Sequence, residues 1–293
     1  MEAAFPGAIA DPRGCLAFDH FSTLSPPDIP SETTIAALLG ELRLVYGIGR
    51  RYAAQLREDG YASISELCSH PRWEGAARAL LEEWGAPPDL GAVCRSLDRW
   101  LPSADPLHLR SLGLAQRETF LFFDLETLGL SGAPMFLSAI GRFAEGGFLI
   151  RQYLAPSLGS ELSILERMEA EIRDTSVLVS YNGKSFDWTI LKERFAYYGI
   201  PIPDTPIHVD LLHHARRAFG AKAPDCHLST IEEHVLGVER TNDLPSAEVP
   251  NYYTAYLETG NAAYLVPIVN HSRQDLSSLV VLLARLLRAD TDA

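Results

Sequence analysis

No two of the four cysteines, Cys15, Cys68, Cys94 and Cys226, stand at Cys-x-x-Cys spacing. That excludes a zinc ribbon and a thioredoxin-like redox pair, and scattered free thiols are the expectation for a reducing compartment. Basic charge is not in excess either. The formal net charge is −13, which argues against a protein that coats itself in nucleic acid but not against an enzyme whose acidic site holds cations. The longest apolar run near the C-terminus, LVVLLA, is far too short to cross a bilayer. The opening residues, MEAAFPGAIADPRG, lack the basic patch and apolar core of a secretory leader, so a cytoplasmic chain without membrane attachment is expected. There is no internal repeat and no low-complexity tract.

What is present is ordinary globular material. With 293 residues, 47% hydrophobic and 22% charged, the chain can bury a sizeable core as one large domain, or as a mid-sized domain and a small one. Residues 1–30, rich in proline and small residues and ending in SPPDIPSE, read as an irregular extension. Residues 31–100 are helical and short-linked: one helix through IAALLGELRLV, a break at Gly47-Ile48-Gly49, then RRYAAQLRED, ISELCSH and WEGAARALLEEW. Residues 101–116, around PSADPLHLRSLGL, read as a linker. From residue 117 to 288 the texture is mixed. TFLFFDLET is a strand, and MFLSAIGRFAEGGFLIRQYLA is two strands turned at Glu145-Gly146-Gly147. A helix, the short strand VLVSYNG, a helix, the short strand PIHVDLL and a mainly helical remainder follow. The expected fold class is α/β: a mixed five-stranded sheet flanked by helices, preceded by a small all-helical region.

Three places carry carboxylates where a core pattern does not expect them. Side chains alternate along a strand, so Asp124 and Glu126 share the face of Phe120 and Phe122 near the strand's end. Two such neighbouring anions call for protons or a cation, and a divalent metal with oxygen ligands meets the need; an Asp-x-Glu alone is also common at strand ends turned to water. Asp187 follows an Asn-Gly turn at the start of a helix, after the buried strand VLVS. If strands 119–126 and 176–181 are parallel neighbours, Asp187 shares the carboxyl edge with Asp124, where ligands of open α/β sheets collect. The alternative is an acid that only favours the helix dipole. Asp275 lies on an aliphatic helical stripe with Ile268, Leu279, Leu282 and Leu286, and His271 lies one turn before it; a satisfied buried pair is the plain alternative. Asp210, in HVDLL, reads as structural support.

Asp-x-Glu on a first strand, Asn-Gly-x-x-x-Asp at a strand-to-helix turn and His-x-x-x-Asp on a late helix resemble the DEDD exonuclease superfamily, which has a ribonuclease H-like fold. The order HVDLLHHARRAF, CHLSTIEEHVLGVER, NDLPSAEVPNYYTAYLETGN, NHSRQDLSSLVVLL is similar to the YprB-type ribonuclease H-like family over residues 117–287. Two departures stand out. Three residues separate His271 from Asp275 where histidine-type exonucleases usually keep four, and Ser246 follows Asp243-Leu244-Pro245 where the family tends to carry glycine. The resemblance implies Asp124, Glu126, Asp187 and Asp275 as ligands of two Mg²⁺ or Mn²⁺ ions, His271 as general base, and Asn182 and Lys184 as phosphate contacts. It implies hydrolysis of phosphodiester bonds from the 3′ end of single-stranded DNA or RNA. A silent module that only holds nucleic acid or protein, and a scaffold with decorative acids, are the competing readings.

LRLVYGIGRRYAAQL resembles a helix-hairpin-helix. The resemblance implies Gly47 and Gly49 where backbone N–H groups approach a phosphate, with Arg50 and Arg51 beside them. A helical turn used only for packing fits the same residues.

Overall fold

The computed structural model of the protein describes residues 4–204, 206–240 and 243–289, so residues 1–3 and Asn242 of the stretches above lie outside the described residues. Two compact units divide the chain: Asp28–Gln116, and the segments before and after it.

The smaller unit is helical: α1 (Ser31–Leu39), α2 (Arg50–Glu58), α3 (Ile64–Leu67), α4 (Glu74–Trp84), α5 (Leu90–Trp100) and α6 (Pro106–Arg110). Leu38, Leu42, Leu44, Ile48 and Trp84 form its core. The expected continuous helix through IAALLGELRLV is two pieces. Gly40 caps α1, and the Glu41 carboxylate accepts the Arg43 backbone N–H (3.0 Å) and guanidinium Nε–H (2.8 Å), starting a separate 3₁₀ turn, Leu42–Leu44. The expected linker is helical as well. Asp105 accepts the Leu107 N–H (3.1 Å), Pro106 opens α6, and a 3₁₀ turn at Ser111–Leu114 follows.

The larger unit is built on a seven-stranded sheet of order β1-β2-β5-β4-β3-β6-β7. The strands are β1 (Ile9–Ala10), β2 (Leu16–Ser22), β3 (Phe120–Thr127), β4 (Met135–Ala144), β5 (Gly147–Leu154), β6 (Val177–Ser180) and β7 (Ile207–Asp210). Helices α7 (Glu161–Arg173), α8 (Asp187–Tyr198), α9 (Leu211–Phe219), α10 (Leu228–Ile231), α11 (Val249–Thr259) and α12 (Leu265–Ala289) accompany it, with a π turn at Glu232–Leu236. Seven strands replace the five expected because residues 9–22 are not irregular. β2 runs antiparallel to β5 from Leu16↔Leu154 to Ser22↔Phe148, occupying an edge that would otherwise present unpaired amides. β4 and β5 form the hairpin, while β3, β6 and β7 are parallel.

Two features fix the sheet's carboxyl end. Phe122 meets Phe143 and Phe148 edge-on at 5.5 and 5.3 Å, anchoring the face that Asp124 and Glu126 continue. The buried Glu161 carboxylate accepts from Arg194 Nε (2.7 Å) and Nη2 (2.6 Å), from the Tyr198 hydroxyl (3.0 Å) and from the Met135 N–H (2.9 Å). That pair is fully hydrogen-bonded and ties α7, α8 and the start of β4 together.

Candidate metal centre

The site grows from the end of β3. Its last pair with β6 is Phe122↔Val179. Beyond it, the Leu125 N–H donates to Asp187 Oδ1 (3.2 Å), so the first residue of α8 takes the place of a strand neighbour between Asp124 and Glu126. The turn that delivers Asp187 is tight. Asn182 has φ 63°, and a Cβ on Gly183 would stand 2.4 Å from Ser180 Oγ and 3.2 Å from Asp187 Oδ2. Asp210, at the end of β7, accepts the Asn182 N–H (2.7 Å) and the Lys184 N–H (3.2 Å), and caps α9 through the Leu212 N–H (3.1 Å). Asp210 is thus the structural acid of the turn, as expected. Asn182 and Lys184 are engaged there through their backbones, and the Lys184 side chain is exposed.

α12 packs on β3 and brings the fourth acid. Asp275 and His271 lie one turn apart on it, with Nε2 and Oδ2 at 3.7 Å. Asp124, Glu126, Asp187 and Asp275 all act on one another's charge. Burial, then Glu126, Asp275 and Asp187, hold Asp124 well above the usual carboxylate range. Burial, then Asp275 and Asp187, do the same to Glu126. Asp187 is pushed up to about 7, chiefly by burial, against two backbone hydrogen bonds. Burial raises Asp275 too, although His271 and Arg240 oppose it. Asp124 Oδ2 is buried with no hydrogen-bond partner, and so is the Oγ of Ser272, which lowers the Asp124 pKa from nearby.

Three residues that the sequence did not single out complete the surroundings. The Arg240 guanidinium contacts Asp275, grips Glu232 with both Nε and Nη2 (the latter 2.8 Å), and donates to Asp243 Oδ2 (2.8 Å). Glu232 is fully buried. Asp243 Oδ1 lies 2.9 Å from His271 Nδ1, and burial of Asp243 is outweighed by Arg240 and His271, which lower its pKa. Arg240 Nη1, which can only donate, lies 3.2 Å from the same Nδ1, so the shorter contact, to a carboxylate that can only accept, favours a proton on Nδ1 against the guanidinium's opposition; Nε2 lies 3.2 Å from Ser246 Oγ.

An oxygen-rich donor set, mutual repulsion and an orphaned buried carboxylate oxygen fit a hard divalent cation. Among the described residues, however, no three Asp, Glu, His or Cys side chains are grouped as ligands of one ion. At one end of the set, Arg240 holds the Asp275 carboxylate.

The remaining expected residues lie in the smaller unit. Gly49 caps α2, whose first turn holds Arg50 and Arg51, both exposed. Gly47 has φ 85°, and a Cβ there would meet the Trp73 ring at 3.0 Å; at Gly49 a Cβ would meet nothing within 4 Å.

Residues 121–287 match the family model described as RNase_H superfamily. The chain belongs to the ribonuclease H superfamily. It is 34% identical over 171 residues to the Bacillus subtilis (strain 168) protein named Uncharacterized protein YprB, a match covering 57% of this chain and 41% of that one. The chain thus matches less than half the length of this relative. It is also similar to a solved family B DNA polymerase from the hyperthermophilic archaeon Pyrobaculum calidifontis, at 19% identity and TM-score 0.47, over 57% of this chain and 24% of that one. The ribonuclease H-like segment contains all five residues expected to do chemistry, and leaves β1, β2 and the helical unit outside the match. Among the described residues, no helix is long and apolar enough to cross a membrane.

Proposed function

We propose that this chain is a divalent-cation-dependent nuclease that hydrolyses phosphodiester bonds, acting from the 3′ end of single-stranded DNA or RNA. The observation that carries the reading is the convergence of acids from three distant segments: the Leu125 N–H, between Asp124 and Glu126, donates to Asp187, α12 packs on β3 with Asp275, and the charges of Asp187 and Asp275 act on both Asp124 and Glu126. Magnesium or manganese ions bound there would supply charge neutralisation for the attacking and leaving oxygens. Asp124 and Glu126 would hold the cations from the rigid end of β3, and Asp187 and Asp275 would complete the oxygen set. His271, held at Nδ1 by Asp243, would take a proton at Nε2 from the attacking water. Asn182 and Lys184, at the turn before α8, would meet substrate phosphate. Gly47, Gly49, Arg50 and Arg51 would offer a second contact to the nucleic-acid backbone.

A silent nucleic-acid-binding or protein-interaction module is the second reading, favoured by the arginine already bound to Asp275. End-labelled single-stranded RNA and DNA incubated with Mg²⁺ or Mn²⁺ separate the two. Shortening from the 3′ end by wild type but not by Asp275→Asn is expected. Intact substrate under all conditions, with no Mn²⁺ bound, would leave the silent module.

A further inference from the structure

Of the four carboxylates gathered at the end of β3, one, Asp275, is in ion-pair contact with the Arg240 guanidinium. Its position is unusual in three respects. The guanidinium is one-tenth exposed and has three carboxylate partners, Glu232, Asp243 and Asp275. Two of those, Glu232 and Asp243, are outside the acid cluster that the proposed chemistry uses, so letting go of Asp275 would leave Arg240 still paired and would strand no buried cation. Arg240 also stands between a π turn ended by Gly237, at φ 68°, and the short 3₁₀ turn at Ser246–Glu248, not inside a helix or strand that would hold its backbone rigidly. Against this, one positive charge cannot neutralise four acids. Asp124 Oδ2 remains without any partner, and Asp124 and Glu126 remain repelled.

We propose that Arg240 is an internal counter-cation of the carboxylate cluster, and that a divalent cation takes its place on Asp275 when the site loads. The inference rests on the metal-dependent reading and deepens it: Arg240 is a positioning residue that sets how tightly the cluster takes a cation. In the arrangement described, its Nη2 holds Asp275 Oδ1, one of the two oxygens this carboxylate could offer an ion. Loading frees that oxygen, and the guanidinium withdraws onto Glu232 and Asp243. Because Asp243 also holds His271 Nδ1, the same movement keeps the imidazole anchored while the acid beside it changes partner. Competition of this kind makes the affinity for the ion the difference between two cation contacts, so removing the arginine's charge strengthens ion binding.

The test uses the full chain with Mn²⁺ as the probe, by isothermal titration calorimetry. Arg240→Gln is expected to bind Mn²⁺ on the order of tenfold more tightly than wild type, the scale of a single displaced charge contact. In an Asp275→Asn background the same substitution is expected to make little difference, because the contested carboxylate is gone. Wild-type protein provides a second measurement that needs no variant to fold. The Arg240 Nε–H resonance should shift on saturation with diamagnetic Mg²⁺. Unchanged or weaker Mn²⁺ binding by a folded Arg240→Gln, or an unmoved Arg240 resonance in Mg²⁺-saturated wild type, would overturn the inference alone. Wild type that takes up neither ion would bring down the metal-dependent reading and this inference with it.

Discussion

Asp243 Oδ1 and His271 Nδ1 are 2.9 Å apart, across 28 residues of sequence. The contact favours the tautomer with its proton on Nδ1, and it is made by an acid in a loop, not by one of the four acids on the sheet edge and α12. Asp243→Asn offers the ring a carboxamide that donates as readily as it accepts, so the tautomer is no longer fixed. With end-labelled oligonucleotide as substrate, this variant is expected to lose roughly ten- to a hundredfold in kcat, with KM little changed, as befits a group that orients a general base. A pH–rate profile whose basic-form limb stays where it is in wild type would show that His271 is not the base.

Gly183 couples backbone geometry to the same centre. A Cβ at this position would lie 2.4 Å from Ser180 Oγ, against a strand end that cannot retreat, and 3.2 Å from Asp187 Oδ2. Gly183→Ala is expected to cost about 1–3 kcal/mol in urea unfolding. It should also weaken Mn²⁺ binding, because the first residue of α8 moves off the Leu125 amide. Asp210→Asn, which touches the same turn through the Asn182 and Lys184 amides, should reproduce part of the second effect.

The acids of this site were readable because each is announced by a local rule. Asp124 and Glu126 interrupt one face of an apolar strand, Asp187 follows an Asn-Gly turn, and Asp275 interrupts an aliphatic stripe. That Asp187 shares an edge with Asp124 was conditional on strands 119–126 and 176–181 being parallel neighbours; β3 and β6 are, and Asp187 meets the Leu125 amide. Arg240 had no such announcement. Its partners lie 8, 3 and 35 residues away, in a loop with no period to violate. β2 was hidden for a different reason: only the two-residue β1 lies outside it, so Leu16–Ser22 is half-buried to exposed and lacks the apolar run that marks β3 and β6. The helix in the supposed linker did carry its signal, an Asp followed by Pro at the first helical position, but the neighbouring prolines and Ser103 masked it.

His208 gives a pH dependence with a definite sign. The ring packs near Phe123 and Trp188 and lies 2.8 Å from Ser180 Oγ. Burial, then Lys184 and Lys192, lower its pKa to about 3. The unfolded chain takes up a proton near the ordinary value of about 6.5. Between these values the unfolded state binds more protons than the folded one, so the stability His208 contributes is complete above the upper value and drains away as pH falls. His208→Gln, which can still meet Ser180, removes that slope. Urea unfolding near pH 7 and at about pH 4.5 should find wild type losing more stability than the variant over the interval. Parallel losses would mean the imidazole is protonated in the folded state.

In the helical unit, two glycines two residues apart should behave differently. Gly47 needs its φ of 85°, and any Cβ there would press the Trp73 ring at 3.0 Å. Gly47→Ala is therefore expected to cost about 1–2 kcal/mol from backbone strain alone, and more from the ring. Gly49 has φ −86°, which any residue adopts, and a Cβ there would meet nothing within 4 Å. Packing and conformation therefore give no reason for glycine at 49. A reason remains if the α2 N-terminus must let a phosphate come close, beside the exposed Arg50 and Arg51. Gly49→Val should then cost only about 1 kcal/mol, the scale of a lost N-cap, while weakening duplex DNA binding by the full chain at low salt. Arg50→Gln with Arg51→Gln should weaken it further and flatten its salt dependence by about two charges. If none of these changes alters binding, the unit's hairpin is there to pack Trp73 and has no part in holding nucleic acid.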